Sequence, residues 1–219
     1  MSKKTLVEDI CRNIENTLMQ LRKNNLIRDE NGISQKKIGK NLYTITFSGK
    51  SSINTVMFDK HVEISHIINL LLSEYQYNVL LYDKSIIQAE FTIENNNIIK
   101  ERLIFIKKHN KVWDLKEINK AENNDEDWFN EEEGIPTFIR IDFDPANHIE
   151  CNHPSIHMTI SNNESCRISI KSIISFSSFV RFILFHFYGI NLKFPKLQFE
   201  QEEKITNKEK KMFHINWTI

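Results

Sequence analysis

The sequence predicts an α+β domain built on a largely antiparallel sheet, with one face covered by a Phe-rich helix and an N-terminal amphipathic helix. Three observations carry this. Residues 138–144, 156–161 and 166–171 alternate apolar and polar side chains with the two-residue period of half-buried strands. Residues 85–93 and 98–107 are two further strand-like runs, joined by Glu94-Asn95-Asn96-Asn97, whose asparagines tolerate the left-handed backbone of a tight hairpin turn. Residues 5–23 place apolar side chains at helical spacing, and residues 176–188 are apolar nearly all round.

Taken in order, Leu6, Val7, Ile10, Ile14, Leu18 and Leu21 make the stripe of the first helix, and Thr5 with Glu8 has the spacing of a capping box. This helix packs on its own domain or docks a partner. A loop containing Gly32 and Gly39 is expected next. Residues 41–48 and 52–59 read as strands around Gly49, residues 62–74 as a short, very apolar helix, and residues 77–82 as the strand that leads into the hairpin. Residues 121–134 are acidic and lack periodicity, which predicts an exposed loop whose Trp128 and Phe129 fold back or anchor a partner. The three polar-faced strands follow, then the helix over 176–188, expected at the centre of the core. Residues 200–211 are charged and expected to be exposed, while Met212, Phe213, Ile215 and Trp217 return to the body or to another chain.

A chain of 219 residues suits one domain with one well-buried core: residues 1–40 as N-terminal helix and loop, 41–199 as α+β core, and 200–219 as a charged C-terminal segment. With 40% hydrophobic and 26% charged residues, the balance is that of a soluble globular protein. A formal net charge of +0 supplies no overall field toward nucleic acid or an anionic membrane. Lys36, Lys37 and Lys40 form a local basic cluster and residues 204–211 another, each a solvated face or a phosphate track. Cys11, Cys151 and Cys166, odd in number and far apart, point away from a disulfide scaffold and toward a reducing cytoplasm. The N-terminal residues carry acids and no long apolar run. The most apolar segment, 176–188, contains Arg181 and His186 and falls short of the about 20 residues a bilayer span needs. No membrane association is expected. Neither a GxxxxGK[ST] or GxGxxG loop nor a GxSxG elbow occurs, which argues against an ATPase, a kinase or a serine hydrolase, and no cofactor is expected.

Candidate chemistry gathers in residues 137–170. Alternation puts Ile139, Ile141 and Phe143 on one face and Arg140, Asp142 and Asp144 on the other. By the same rule His157 and Thr159 oppose Ile156, Met158 and Ile160, and Arg167 and Ser169 oppose Ile168 and Ile170. If these strands are neighbours, Arg140, Asp142, His157, Thr159, Arg167 and Ser169 share a polar surface that suits phosphate binding or acid–base work. A sheet with one face in water gives the same alternation without any function. His148, Cys151, His153 and His157 have ligand types that suit zinc, but no paired cysteines make a knuckle, and the favoured reading assigns no metal.

The runs YNVLLYDKSIIQAEF, IIKERLIFI, TFIRIDFDP, HPSIHMTI and CRISIKSIISFSSFVRFILFHFY, in this order and spacing, resemble the bacterial family known as domain of unknown function 2290 over residues 77–188. The resemblance implies Asp83, Ser85, Gln88, Arg102, Arg140, Asp142, Asp144, Pro145, His153, Pro154, His157 and Arg167 as pattern positions. Lys84 stands where that pattern has glycine, and Thr159 where it has the second histidine of a His-x-His pair. The family brings no activity to carry over, and it resembles genes found among mobile elements and defence clusters. The pairing of an Arg-x-Asp strand with a His-Pro-x-x-His segment is also similar to small toxins of toxin–antitoxin loci.

Two functional expectations follow. In the first, the protein is an interaction or regulatory module of a bacterial defence or mobile-element-associated system and binds a protein partner from the same operon. In the second, it is a toxin-like, nucleic-acid-cleaving effector. There His157 is the general acid or base, Asp142 orients it, and Arg140 and Arg167 hold the phosphate; Asp144, His153, Thr159, Asp83, Gln88 and Arg102 contribute to binding.

Overall fold

A computed structural model of the chain describes residues 5–47, 64–107, 136–161, 166–194 and 197–217. The strand expected at 52–59 and the acidic loop at 121–134, with Trp128 and Phe129, lie outside these residues.

The α+β expectation holds: among the described residues, ten strands form one mixed, mostly antiparallel sheet, with three α-helices against it. Helix α1 (Leu6–Lys23) precedes β1 (Ile27–Glu30), β2 (Ile33–Gly39) and β3 (Leu42–Phe47). Helix α2 (Ile64–Ser73) leads to β4 (Val79–Leu81), β5 (Ile86–Glu94), β6 (Asn97–Lys107) and β7 (Thr137–Phe143). Strands β8 (Ile156–Ile160) and β9 (Arg167–Ile170), helix α3 (Phe176–Tyr188) and β10 (His214–Ile215) complete the order. Across the sheet the strands run β1-β4-β5-β6-β7-β8-β9-β10, and β3 pairs with the far half of β5 and carries β2 outward. Among the described strands every pairing is antiparallel except β9 with β10. Among the described residues no helix is long and apolar enough to cross a membrane.

Local chemistry explains the well-read elements. Thr5 Oγ1 accepts from the Glu8 N–H at 3.3 Å, Glu8 accepts from the Thr5 N–H at 3.0 Å, and Asn96 at the hairpin tip accepts from the Leu6 N–H at 2.8 Å. Three backbone donors of the first turn of α1 are thereby satisfied. Thr5→Ala is expected to cost about 1 kcal/mol, read as a lower urea midpoint; an unchanged midpoint would mean that Glu8 and Asn96 suffice. Asn95 and Asn96 sit at φ of 48° and 63°, as the turn chemistry requires. Lys84 sits at φ 62°, a left-handed conformation that glycine takes without strain.

Both faces of the sheet carry apolar clusters. Strand positions such as Ile87, Leu103, Phe105, Ile141 and Met158 pack with α1 and α3 on one side. On the other side, Ile86, Ile104, Ile106 and Phe138 pack with Ile67, Ile68 and Leu71 of α2. Helix α3 runs along β6 in the same direction. Its entry residue Ile174 donates to Glu101 at 3.5 Å and its last residue, Tyr188, lies 3.4 Å from Lys107 Nζ. Thirteen helical residues and a six-residue stretch of strand both span about 20 Å, so helix and strand are matched in length.

Three expectations need correction. Residues 27–39 are not a loop but β1 and β2, strands whose exposed or half-buried side chains show no apolar alternation because they lie at the margin of the sheet. Helix α3 buries Phe176, Phe179, Val180, Ile183 and Leu184 but leaves Phe185 exposed, so it covers the sheet rather than filling the centre of the core. Residues 200–211 are not simply exposed: Glu209 is fully buried, accepting from the Thr206 N–H at 2.8 Å and the Cys151 N–H at 3.4 Å, with His148 Nε2 at 3.1 Å. Beyond it, Ile215 and Trp217 pack on the core, whereas Met212 and Phe213 are exposed.

Candidate functional site

Strand pairing puts the polar side chains of the central strands into two adjacent rows. Arg102 on β6 opposes Asp142 on β7, Asp142 opposes His157 on β8, and His157 opposes Ser169 on β9. Two residues along, Gln88 opposes Ile104, Ile104 opposes Arg140, Arg140 opposes Thr159, and Thr159 opposes Arg167. Directly paired residues project to the same face, so Arg140, Asp142, His157, Thr159, Arg167 and Ser169 are brought together, and Arg102 and Gln88 join them. The face is not the solvated one that a bland amphipathic sheet would present: Arg140, Asp142, Thr159 and Ser169 are buried, and His157 is only 2% exposed.

Asp142 organises the cluster. Arg102 Nε donates to its Oδ1 at 3.0 Å and Arg140 Nε to its Oδ2. Burial pushes the Asp142 carboxyl upward, but the guanidinium groups of Arg140 and Arg102 and their hydrogen bonds outweigh it and hold the pKa below its ordinary value. His157 Nε2 lies 3.9 Å from Asp142 Oδ2, too far for a hydrogen bond. The ring is held instead by the Pro154 carbonyl, 2.9 Å from Nδ1. A carbonyl only accepts, so the proton of neutral His157 resides on Nδ1 and the lone pair on Nε2, facing the arginine-bound carboxylate. Asp142 thus orients the guanidinium groups rather than the imidazole. Burial draws the His157 pKa down, His153 and Arg167 add to that, and the Pro154 carbonyl and Asp142 only partly oppose it, so the ring is neutral at pH 7.

The remaining candidates divide. His153 stacks edge-on against His157, ring centroids 4.8 Å apart. Gln88 donates to the Gln76 carbonyl. Asp144, past the end of β7, accepts from Asn147 at 2.9 Å. Asp83 is elsewhere: it pairs with Lys107, which shares the α3 face of β6 with Leu103 and Phe105, and it accepts from the Tyr188 hydroxyl at 2.8 Å. His148 is taken by Glu209, and among the described residues no three His, Cys, Asp or Glu side chains are placed to hold a metal. The buried Thr159 Oγ1, Gln88 Oε1, His153 Nδ1 and Arg167 Nε have no hydrogen-bond partner among the described residues, a condition that is rare for buried polar atoms.

Two buried ionisable groups on the opposite face were missed by the sequence reading. Glu101, fully buried at the N-terminal end of α3, is pushed well above the carboxylate range by burial, with Glu200 and Asp142 adding to the rise. Lys107 lies at the other end of the helix. Their signal was present in the sequence, because alternation through β6 places both among Leu103 and Phe105 on the apolar side, where a charge requires a partner or a proton.

No curated protein and no solved structure matches the chain. A family model does match, and it extends beyond the stretch at 77–188 to take in β1 to β3 and the C-terminal turns. The model, described as an uncharacterized conserved protein family (DUF2290), covers residues 26–217, and the chain belongs to that family.

Proposed function

We propose that this chain is a toxin-like, nucleic-acid-cleaving effector of a bacterial defence or mobile-element-associated system, and that its buried polar face engages the scissile phosphate. The observation that carries the reading is Arg167. It forms no ion pair among the described residues, its Nε is buried without a hydrogen-bond partner, and it stands in line with Arg140 and the unpartnered hydroxyl of Thr159. A guanidinium so placed suits a phosphate, which takes two parallel N–H donors. In this reading a water attacking phosphorus gives its proton to His157 Nε2 as the new P–O bond forms and the bond to the leaving oxygen breaks. The imidazolium then returns that proton to the leaving oxygen, and the arginines stabilise the charge that develops on the phosphoryl oxygens.

A second reading, the interaction or regulatory module with a protein partner from the same operon, is favoured by the near-complete burial of His157 and by the engagement of Asp142 with both guanidinium groups. There the polar face is an internal network. The test is incubation of the purified full chain with end-labelled RNA and DNA, beside His157→Ala. Cleavage by the wild type that slows about 100-fold or more in the variant is the expected result. Intact nucleic acid, with a stoichiometric operon partner retained by both proteins, would establish the module instead.

A further inference from the structure

The polar face continues past the buried cluster to the β2–β3 margin of the sheet. Lys36 on β2 opposes Thr44 on β3, Thr44 opposes Thr92 on β5, and Thr92 opposes Lys100 on β6. Lys100 is two residues from Arg102 on the same strand, so this row projects to the same face as the row of Arg102, Asp142 and His157. The face grades from open to closed: Lys36 is exposed, Thr44, Thr92 and Lys100 are half-buried, and Arg140, His157 and Thr159 are buried. Interstrand spacing near 4.8 Å and a side-chain repeat near 7 Å set Lys36, Lys100, Arg102, Arg140 and Arg167 at successive intervals of about 7–15 Å. Glu90, opposite Arg102, and Asp142 are the carboxylates within these rows, and Glu94 and Asp144 lie two residues beyond Thr92 and Asp142 in the same phase, so the five cations still outnumber the four carboxylates. Hydroxyls of Thr44, Thr92, Thr159 and Ser169 intervene, and none of the paired residues in these rows is Phe, Tyr or Trp.

We infer that this graded face is a track for the sugar–phosphate backbone of a nucleic-acid strand, entering at Lys36 and Lys100 and ending at Arg167 and His157. The inference rests on the phosphate reading of the buried cluster. Lysine, arginine and threonine donors hold phosphates without reading bases, and the paired residues of these rows include no Phe, Tyr or Trp on which a base could stack, so binding is independent of sequence. Charge complementarity selects this occupant: lysines toward the β2 margin and, on β9, an Arg167 guanidinium with no ion pair among the described residues fit a polyanion.

The test measures binding of fluorescent single-stranded RNA and DNA of about 20 nucleotides, in two unrelated sequences, across a salt series. Each phosphate contact contributes about −0.7 to the slope of log affinity against log salt for single strands. Lys36→Glu with Lys100→Glu is expected to weaken binding about tenfold or more for both sequences and to make the slope shallower by about 1.4. Lys36→Glu alone, at an exposed position, is expected to give a smaller loss in the same direction without lowering the melting temperature. The buried end is read separately, as a rise in melting temperature with inorganic phosphate that Arg167→Ala abolishes and the lysine variants retain. Unchanged oligonucleotide affinity in the lysine variants, or no binding by the wild type, would overturn the track. Absence of any phosphate effect on the wild type would overturn the reading on which it rests.

Discussion

Asp142→Ala is expected to lower the unfolding free energy by about 3–5 kcal/mol, the range seen when one partner of a buried ion pair is removed. The carboxylate accepts from Arg102 and Arg140 on neighbouring and same strands, and all three side chains are largely shielded from water. Deleting it withdraws the counter-charge from two guanidinium groups in a medium that screens poorly. Asp142→Asn, which keeps the shape and loses the charge, is expected to recover only part of the loss. The pH dependence has a defined direction. The folded pKa of Asp142 is depressed, so its contribution is present above the ordinary carboxylate value and is lost as pH falls through the folded value. His157 acts in the same direction from a higher starting point: its folded pKa is also lowered, so the stability of the buried neutral ring is present above pH about 6.5 and is lost as pH falls. Urea unfolding monitored by circular dichroism from pH 7 to pH 3 reads both. A variant within about 1 kcal/mol of the wild type at pH 7 would sink the network as an organising feature of the sheet, because one partner of a buried pair costs more than that.

Lys107→Ala is expected to cost about as much, about 3–5 kcal/mol, for a related reason on the opposite face. Lys107 bonds Asp83, lies 4.4 Å above the Tyr188 ring and is buried with Asp83 at the C-terminal end of α3. That end of the helix carries partial negative charge, so an ammonium beside it is favoured, and the buried Asp83 loses its counter-charge when the lysine is truncated. The Tyr188 hydroxyl, raised well above the ordinary tyrosine value by burial and by Asp83, stays a neutral donor to that carboxylate. The double variant Lys107→Met with Asp83→Leu removes both charges and is expected to recover most of the stability, as replacement of whole buried pairs commonly does. If Lys107→Ala were as stable as the wild type and the double variant were the one that failed, the pair would be a packing element and not an electrostatic one.

The two ends of α3 differ in a way that the pH axis exposes. Glu101, beneath the N-terminal end, is held protonated by burial, so its contribution is present at low pH and is lost as pH rises through its raised folded value. Asp142 and His157 destabilise the fold on the acid side and Glu101 on the alkaline side, which confines maximal stability between them.

Much of the candidate site was legible from strand phase alone. Alternation in 138–144, 156–161 and 166–171 placed Arg140, Asp142, His157, Thr159, Arg167 and Ser169 on one face, and the pairing of β7, β8 and β9 puts them there. Phase is legible because side-chain direction repeats every two residues within a single strand and needs no knowledge of its neighbours. The same locality made the capping box of α1 and the Asn95-Asn96 turn readable, since each is settled by a few consecutive residues. Strands β1 and β2 were missed for the complementary reason: they lack an apolar stripe, and what makes them strands is hydrogen bonding to β4 and β3.

By itself, then, the sequence determined the α+β class, the helix over 176–188 and the phase of the polar strands. Only the tertiary structure decided that this face is buried, that Arg102 reaches Asp142 from a strand 40 residues away, that Pro154 rather than Asp142 holds His157, and that Glu209 closes on His148. The physical reason is that phase and capping are properties of neighbouring residues along the chain. Burial, ion pairing and tautomer depend on which distant strands the register brings side by side.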